Sequence, residues 1–182
     1  MTFDEMIQQA QAYEEARQNK AEIDDAVEEL CNTIEGFNAQ TVEHMHGLIL
    51  LTHLSASPDL RSCGSYALCS MNPDLLAAEF NTMLRGEEEL RELAMGTLTE
   101  VGLSVTNPIS IAMNKTGGVV DFLLEYLASE APGLERSRAA SLLGSFGLDL
   151  ERVVPTLELA AADDDDWVSQ DAEWALEEIA AR

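Results

Sequence analysis

The feature that most limits what this chain can become is its self-similarity. Residues 60–71, 90–101 and 135–146 align without gaps at successive offsets of 30 and 45, and residues 168–179 align with the third segment at an offset of 33. Each segment carries a small residue in its first half (Gly64, Ala94, Ala139, Ala172) and a leucine four residues later (Leu68, Leu98, Leu143, Leu176). A larger apolar residue stands three beyond that (Met71, Val101, Phe146, Ile179). Steps of four and three keep these side chains on one face of an α-helix. The small residue lets a neighbouring helix come close, and the larger ones fill the space beyond it. Each segment follows another apolar helical stretch. Two helices alone cannot bury both apolar faces, so such units must stack on one another.

The punctuation between segments predicts the helices one by one. Thr2 and Glu5 form a capping box, each side chain satisfying a free backbone N–H of the other's turn. Phe3, Met6, Ile7, Ala10 and Tyr13 then mark the apolar face of a first helix. A second covers about 21–35, ending at Gly36, and a third about 41–55. Ser57-Pro58, Asn72-Pro73 and Asn107-Pro108 are each a capping side chain followed by proline at the first helical position, where its missing N–H costs nothing. Further helices are expected over 87–102, 119–129, from Pro132 to about Gly147, over 149–162 and over 166–180. Strict alternation is hard to find, and no convincing strand is present.

The C-terminal part resembles a known family. Arg138-Ala139-Ala140-Ser141-Leu142-Leu143-Gly144, then Val154-Pro155-Thr156-Leu157, the acidic turn Asp163–Asp166, and Val168 through Ala172-Glu173-Trp174-Ala175-Leu176 look like short HEAT-like helical repeats of the PBS-lyase type. The resemblance is carried by 132–180 and, less closely, by 57–102. Ser169 stands where members usually have arginine. The resemblance implies an all-α protein: a right-handed α-solenoid of about four HEAT-like helix pairs with an N-terminal helical hairpin. It would form one domain over 1–182, with the hairpin at 1–36 and the repeats at 41–182. Such repeats mostly serve as binding scaffolds, although the fold includes bilin lyases and a DNA glycosylase group.

Charge narrows the partners. Ten basic residues against 34 acidic ones leave a formal charge of −24. Such a surface repels nucleic-acid phosphates and anionic lipid, so direct nucleic-acid binding and membrane binding are not expected. The glycosylase reading fails on the same ground. No apolar run approaches a membrane span, and the acidic, amphipathic N-terminus does not read as a signal peptide, so none is expected. A hydrophobic content of 46% argues against wholesale disorder. The cysteines Cys31, Cys63 and Cys69 are too few for a disulfide framework and fit a reducing cytoplasm. Cys63 and Cys69 read as small buried apolar residues. Lysine is confined to Lys20 and Lys115. Scarce lysine with abundant carboxylate also suits salt adaptation, or a GC-rich genome combined with a basic partner.

Chemistry-bearing motifs are absent: no nucleophile elbow, no phosphate loop, no H-E-x-x-H. No cofactor or metal is expected, and the chain does not read as an enzyme. Asp163–Asp166 lacks the turn glycine and closing glutamate of a calcium loop and reads as a helix cap. His46 and His53 share a helix face while His44 points away, which is no three-ligand set. Glu87-Glu88-Glu89 and Glu177-Glu178 read as solvated faces. Asn114-Lys115-Thr116-Gly117-Gly118 reads as a polar connection that breaks the repeat rhythm, the kind of loop that also carries recognition. Trp174 is expected in or near the core, and Trp167, beside the acidic turn, exposed. The expected partner-binding residues are Glu87, Glu88, Asn114, Lys115, Asp165, Asp166 and Trp167. The expected partner is a basic protein, and the expected role an acidic inhibitor such as an immunity protein or antitoxin covering a nuclease toxin. A scaffold or assembly adaptor, a DNA mimic aimed at a DNA-binding protein, and more remotely a lyase-like enzyme are the alternatives.

Overall fold

The computed structural model describes residues 5, 7–12, 30–34, 36, 39–54, 58–116 and 118–182. Every regular element among them is helical. The helices are α1 (Val42–Leu54), α2 (Pro58–Cys69), α3 (Pro73–Leu84), α4 (Glu88–Glu100), α5 (Pro108–Thr116), α6 (Val119–Leu127), α7 (Gly133–Phe146), α8 (Leu150–Ala160) and α9 (Asp166–Ala180). Backbone at 7–12 and 30–34 is helical as well. The expected capping box at Thr2 and most of the expected second helix lie outside the described residues. The chain divides into two compact units, 1–76 and 77–182.

Local chemistry sets the helix starts. Asn72 Oδ1 accepts from the Asp74 N–H at 2.9 Å, and Asn107 Oδ1 from the Ile109 N–H at 2.9 Å. Pro73 and Pro108 stand first in the helices that follow. These side chains satisfy backbone donors that the first helical turn leaves unpaired. Between α5 and α6, Gly118 adopts φ +80°, a left-handed conformation open to glycine at little cost. The helical rhythm breaks there, as the Gly-Gly pair predicts.

In the first unit, α1 packs on α2. Met45, Leu48 and Ile49 are fully buried, as are Leu60, Ala67 and Leu68. Gly64 is small because α1 passes against it. A Cβ there would stand 2.6 Å from Thr52 Oγ1 and 3.2 Å from the Thr52 backbone nitrogen. Cys63 is buried, but Cys69 is exposed, contrary to its expected burial. It is the last residue of α2, one position beyond the buried Ala67–Leu68 pair.

In the second unit, α4 and α9 both pack on α7, while α6 packs on α7 and α8 on α9, with a lighter contact between α6 and α8. The helices α7 and α9 run parallel, because successive contacts climb both together. Gly133 lies against Asp165, Ser137 Oγ donates to Asp171 Oδ2 at 2.8 Å, and Gly144 lies against Ala175. Partners about one repeat apart in sequence therefore meet. The small residues Ala94, Ala139 and Ala172 are fully buried, and so are Leu98, Leu143 and Phe146. In α9 the corresponding Leu176 and Ile179 are only half-buried. Trp174 is 65% exposed, not in the core. The face of α9 turned toward its neighbours is formed by Val168, Ala172 and Ala175, and the indole lies well round the helix from it.

A Cβ on Gly144 would stand 2.7 Å from the Ala175 Cβ and 2.9 Å from its Cα. The obstacle is backbone of α9 and cannot swing aside. Gly144→Val is expected to destabilise the protein by about 1–3 kcal/mol through overpacking, read as a lower urea midpoint. An unchanged midpoint would show that the two helices do not approach this closely.

Candidate functional site

The four consecutive aspartates before α9 do different work. Asp163 takes a two-pronged contact from Arg136, Nη1 to Oδ2 at 2.5 Å and Nη2 to Oδ1 at 3.2 Å. It also accepts from the Asp165 N–H at 3.0 Å. Arg136 Nε donates to the Ala131 carbonyl at 3.1 Å, which ties the α6–α7 connection to the α8–α9 corner. Asp165 caps α9, its Oδ1 accepting from the Trp167 and Val168 N–H groups at 3.0 and 3.4 Å. Asp164 and Asp166 are left facing solvent. Two acids thus build the corner and two present charge.

The corner borders a cleft of about 670 Å³ lined by Leu127, Glu130, Arg136, Leu159, Asp163 and Asp164, among others. The C-terminal ends of α6 and α8 also reach it, through Ala128 and Ala160. Helix C-termini carry partial negative charge, which adds to the carboxylates of Glu130 and Asp164. Leu159 stands 78% exposed on the same wall. Acid beside exposed apolar surface suits a long cationic side chain, which has an apolar stem and a charged tip.

Most arginines of this unit are turned to internal contacts. Arg85 donates to the Asn81 carbonyl at 3.1 Å and Arg91 to the Gly86 carbonyl at 2.9 Å. Arg138 lies 3.9 Å from Glu92, Arg152 pairs with Asp121 at 2.7 Å and Asp149 at 3.1 Å, and Arg182 pairs with Glu178 at 2.8 Å. The guanidinium of Arg91 also sits over the Tyr126 ring, 5.4 Å from its centroid. The Tyr126 hydroxyl donates to the buried Glu135 carboxylate. Partial burial, then that hydrogen bond, pushes the Tyr126 hydroxyl above its ordinary pKa. The carboxylates of Glu87, Glu88, Glu89, Asp166, Glu173 and Glu177 are exposed.

The expected contact residues fall at three separate helix ends. Glu87 and Glu88 begin α4, and Asp165, Asp166 and Trp167 begin α9, with Trp167 64% exposed. Asn114 and Lys115 do not form a loop; they belong to the last turn of α5. Burial of Ile109, Ala112 and Met113 carries that helix through them. Asn114 is half-buried, its Oδ1 enclosed without a hydrogen bond among the described residues. Lys115 is exposed. The sequence reading missed Trp174, Leu159 and Leu134, all exposed. The signal for Trp174 was its spacing: seven residues return it to within about 20° of Trp167 on a helix, so the two must face alike.

Among the described residues no cluster of three or more His, Cys, Asp or Glu is placed to hold a metal ion, and no helix is long and apolar enough to cross a membrane. No family model, curated protein or solved structure matches this chain.

Tyr126→Phe would leave the buried Glu135 without its hydroxyl donor while keeping the ring stacked on Phe122 at 5.4 Å. A loss of about 1–3 kcal/mol in urea unfolding is expected, the cost of an unsatisfied buried polar group. The Asp163 contact is visible through pH. Hydrogen bonds from Arg136, then from the Asp165 N–H, hold the Asp163 carboxyl below the ordinary 3.8. A depressed folded-state pKa contributes stability above the unfolded value and loses it as pH falls through the folded one. The gap in urea midpoint between wild type and Asp163→Asn should therefore be full at neutral pH and close progressively below about pH 4. A gap independent of pH would show that the pair is not ionic.

Proposed function

We propose that this chain is a non-enzymatic protein-binding module of the HEAT-like solenoid type, an acidic inhibitor that covers the basic surface of a partner protein. An immunity protein or antitoxin seated over the active site of a nuclease toxin, in a reducing cytoplasm, is the form of this reading we favour. The observation that carries it is the unequal use of charge in residues 77–182: Arg85, Arg91, Arg136, Arg152 and Arg182 donate to carbonyls or carboxylates of the chain, while Glu87, Glu88, Glu89, Asp166, Glu173 and Glu177 stand exposed. A field of one sign steers an oppositely charged partner into contact and disfavours others. Salt adaptation would account for exposed carboxylates. It would not account for Leu159, Trp167 and Trp174 exposed among them, since large apolar side chains in water work against solubility. Exposed tryptophan beside charge is the composition of an interface.

The test is affinity capture from source-cell lysate at low salt, with elution by rising salt. The expected result is one stoichiometric basic protein, released by salt, whose own activity disappears when the acidic chain is added back. A partner that keeps its activity in the complex would make the chain an adaptor. Failure to retain any basic protein at low salt would overturn the electrostatic reading and leave the acidity as an adaptation to habitat.

A further inference from the structure

The outer face of α9 carries a pattern that the general acidity does not explain. Trp167 and Trp174 are two turns apart, about 10 Å along the axis, and almost eclipsed around it. Both are about two-thirds exposed, the most apolar side chains of the helix lying on the side away from Val168, Ala172 and Ala175. Each is embedded in the same local order. A carboxylate immediately precedes each ring, Asp166 and Glu173, and another follows one turn later, Asp171 and Glu178. Of these, Asp166, Glu173 and Glu178 are exposed, as is Glu177 beside Trp174. Asp171 accepts from Ser137 at 2.8 Å and Glu178 from Arg182 at 2.8 Å, contacts that leave further acceptor sites on each carboxylate.

A ring flanked by carboxylates is a receptor for an organic cation: the π face attracts the charge and the carboxylates neutralise it. The chain already practises this chemistry internally, where the Arg91 guanidinium lies over Tyr126 and Glu135 binds that ring's hydroxyl. We propose that the outer face of α9 is a two-site cradle for arginine or lysine side chains of the basic partner, with Trp167 and Trp174 as its platforms. This rests on the acidic-binder reading and names where and how the partner is gripped. Charge selects the occupant. A second copy would bring its own acids against Asp166, Glu173 and Glu177, and the net charge of −24 opposes it. Bases of a nucleic acid also stack on tryptophan, but their phosphates would meet the same carboxylates without a cation to hold them. The spacing selects the partner's geometry. Two cations about 10 Å apart lie seven residues apart on a helix or three apart on an extended segment.

The chain has only two tryptophans, so its tryptophan emission reports on this face alone. The experiment titrates the full chain with an oligoarginine peptide, following tryptophan emission with the unlabelled peptide and affinity by anisotropy of a labelled one. Circular dichroism checks that Trp167→Ala/Trp174→Ala remains folded, as two exposed positions should allow. Binding is expected to quench and shift the emission, and the double variant to bind roughly tenfold more weakly. Salt-sensitive binding with silent tryptophans and an unweakened double variant would overturn the cradle while leaving the acidic-binder reading intact. An emission change that depends on protein concentration without peptide would make the face a self-contact and overturn the proposal. No binding of oligoarginine at low salt would overturn that reading, and the cradle with it.

Discussion

The second unit depends on how closely α7 and α9 approach. Gly144 against Ala175 lets their backbones meet where any larger pair would hold them apart, and Asp165 fills the space beside Gly133. Close approach places Ser137 within hydrogen-bond reach of Asp171 and keeps the two helices parallel. A parallel neighbour one repeat away requires an intervening helix to bring the chain back. That is the place of α8 between α7 and α9. With α4 and α6 also packed on it, α7 has neighbours enough to bury Ala139, Ala140, Leu143 and Phe146 together.

The same packing decides where the arginines are held. In residues 77–182, Arg85, Arg91, Arg136, Arg152 and Arg182 all donate to carbonyls or carboxylates of the chain, which fixes where each guanidinium points, although Arg85, Arg152 and Arg182 stay at the surface. Arg136 shows the consequence most clearly. By taking Asp163 and the Ala131 carbonyl together it closes the corner from which α9 starts, and it spends one of the few positive charges in doing so. The surface stays strongly acidic, as the net charge of −24 requires. The apolar residues exposed within it, Leu159, Trp167 and Trp174, belong to that corner and to the helix it starts.

Much of this was legible without coordinates, for a physical reason. Helix starts at Asn72-Pro73 and Asn107-Pro108 depend on a side chain and a backbone a few residues away, so their chemistry is contained in the local sequence. The expected burial of Gly64, Ala94, Ala139 and Ala172 held because their register repeats with each packed helix. The misjudged residues share a different property. Cys69 and Trp174 are exposed because of the direction in which their helices turn, which depends on which neighbour each helix meets. Asn114 and Lys115 are helical because Ala112 and Met113 find a core to enter, and a polar tail follows them.

By itself, then, the sequence determined that the chain is helical, where most helices begin, which small residues face a neighbour, and that any partner must tolerate a strongly negative surface. Those properties are local or additive: a cap acts over one turn, a period over a few, and charge sums whatever the fold. Tertiary structure alone decided that, of four identical aspartates, Asp163 would hold an ion pair. Arg136, 27 residues upstream, reaches Asp163, and the cap geometry takes Asp165. It also decided that the face shared by the two tryptophans is the outward one, because α9 turns Ala175 toward Gly144 of α7. Contacts between residues distant in sequence depend on relative placement, and no local pattern encodes it.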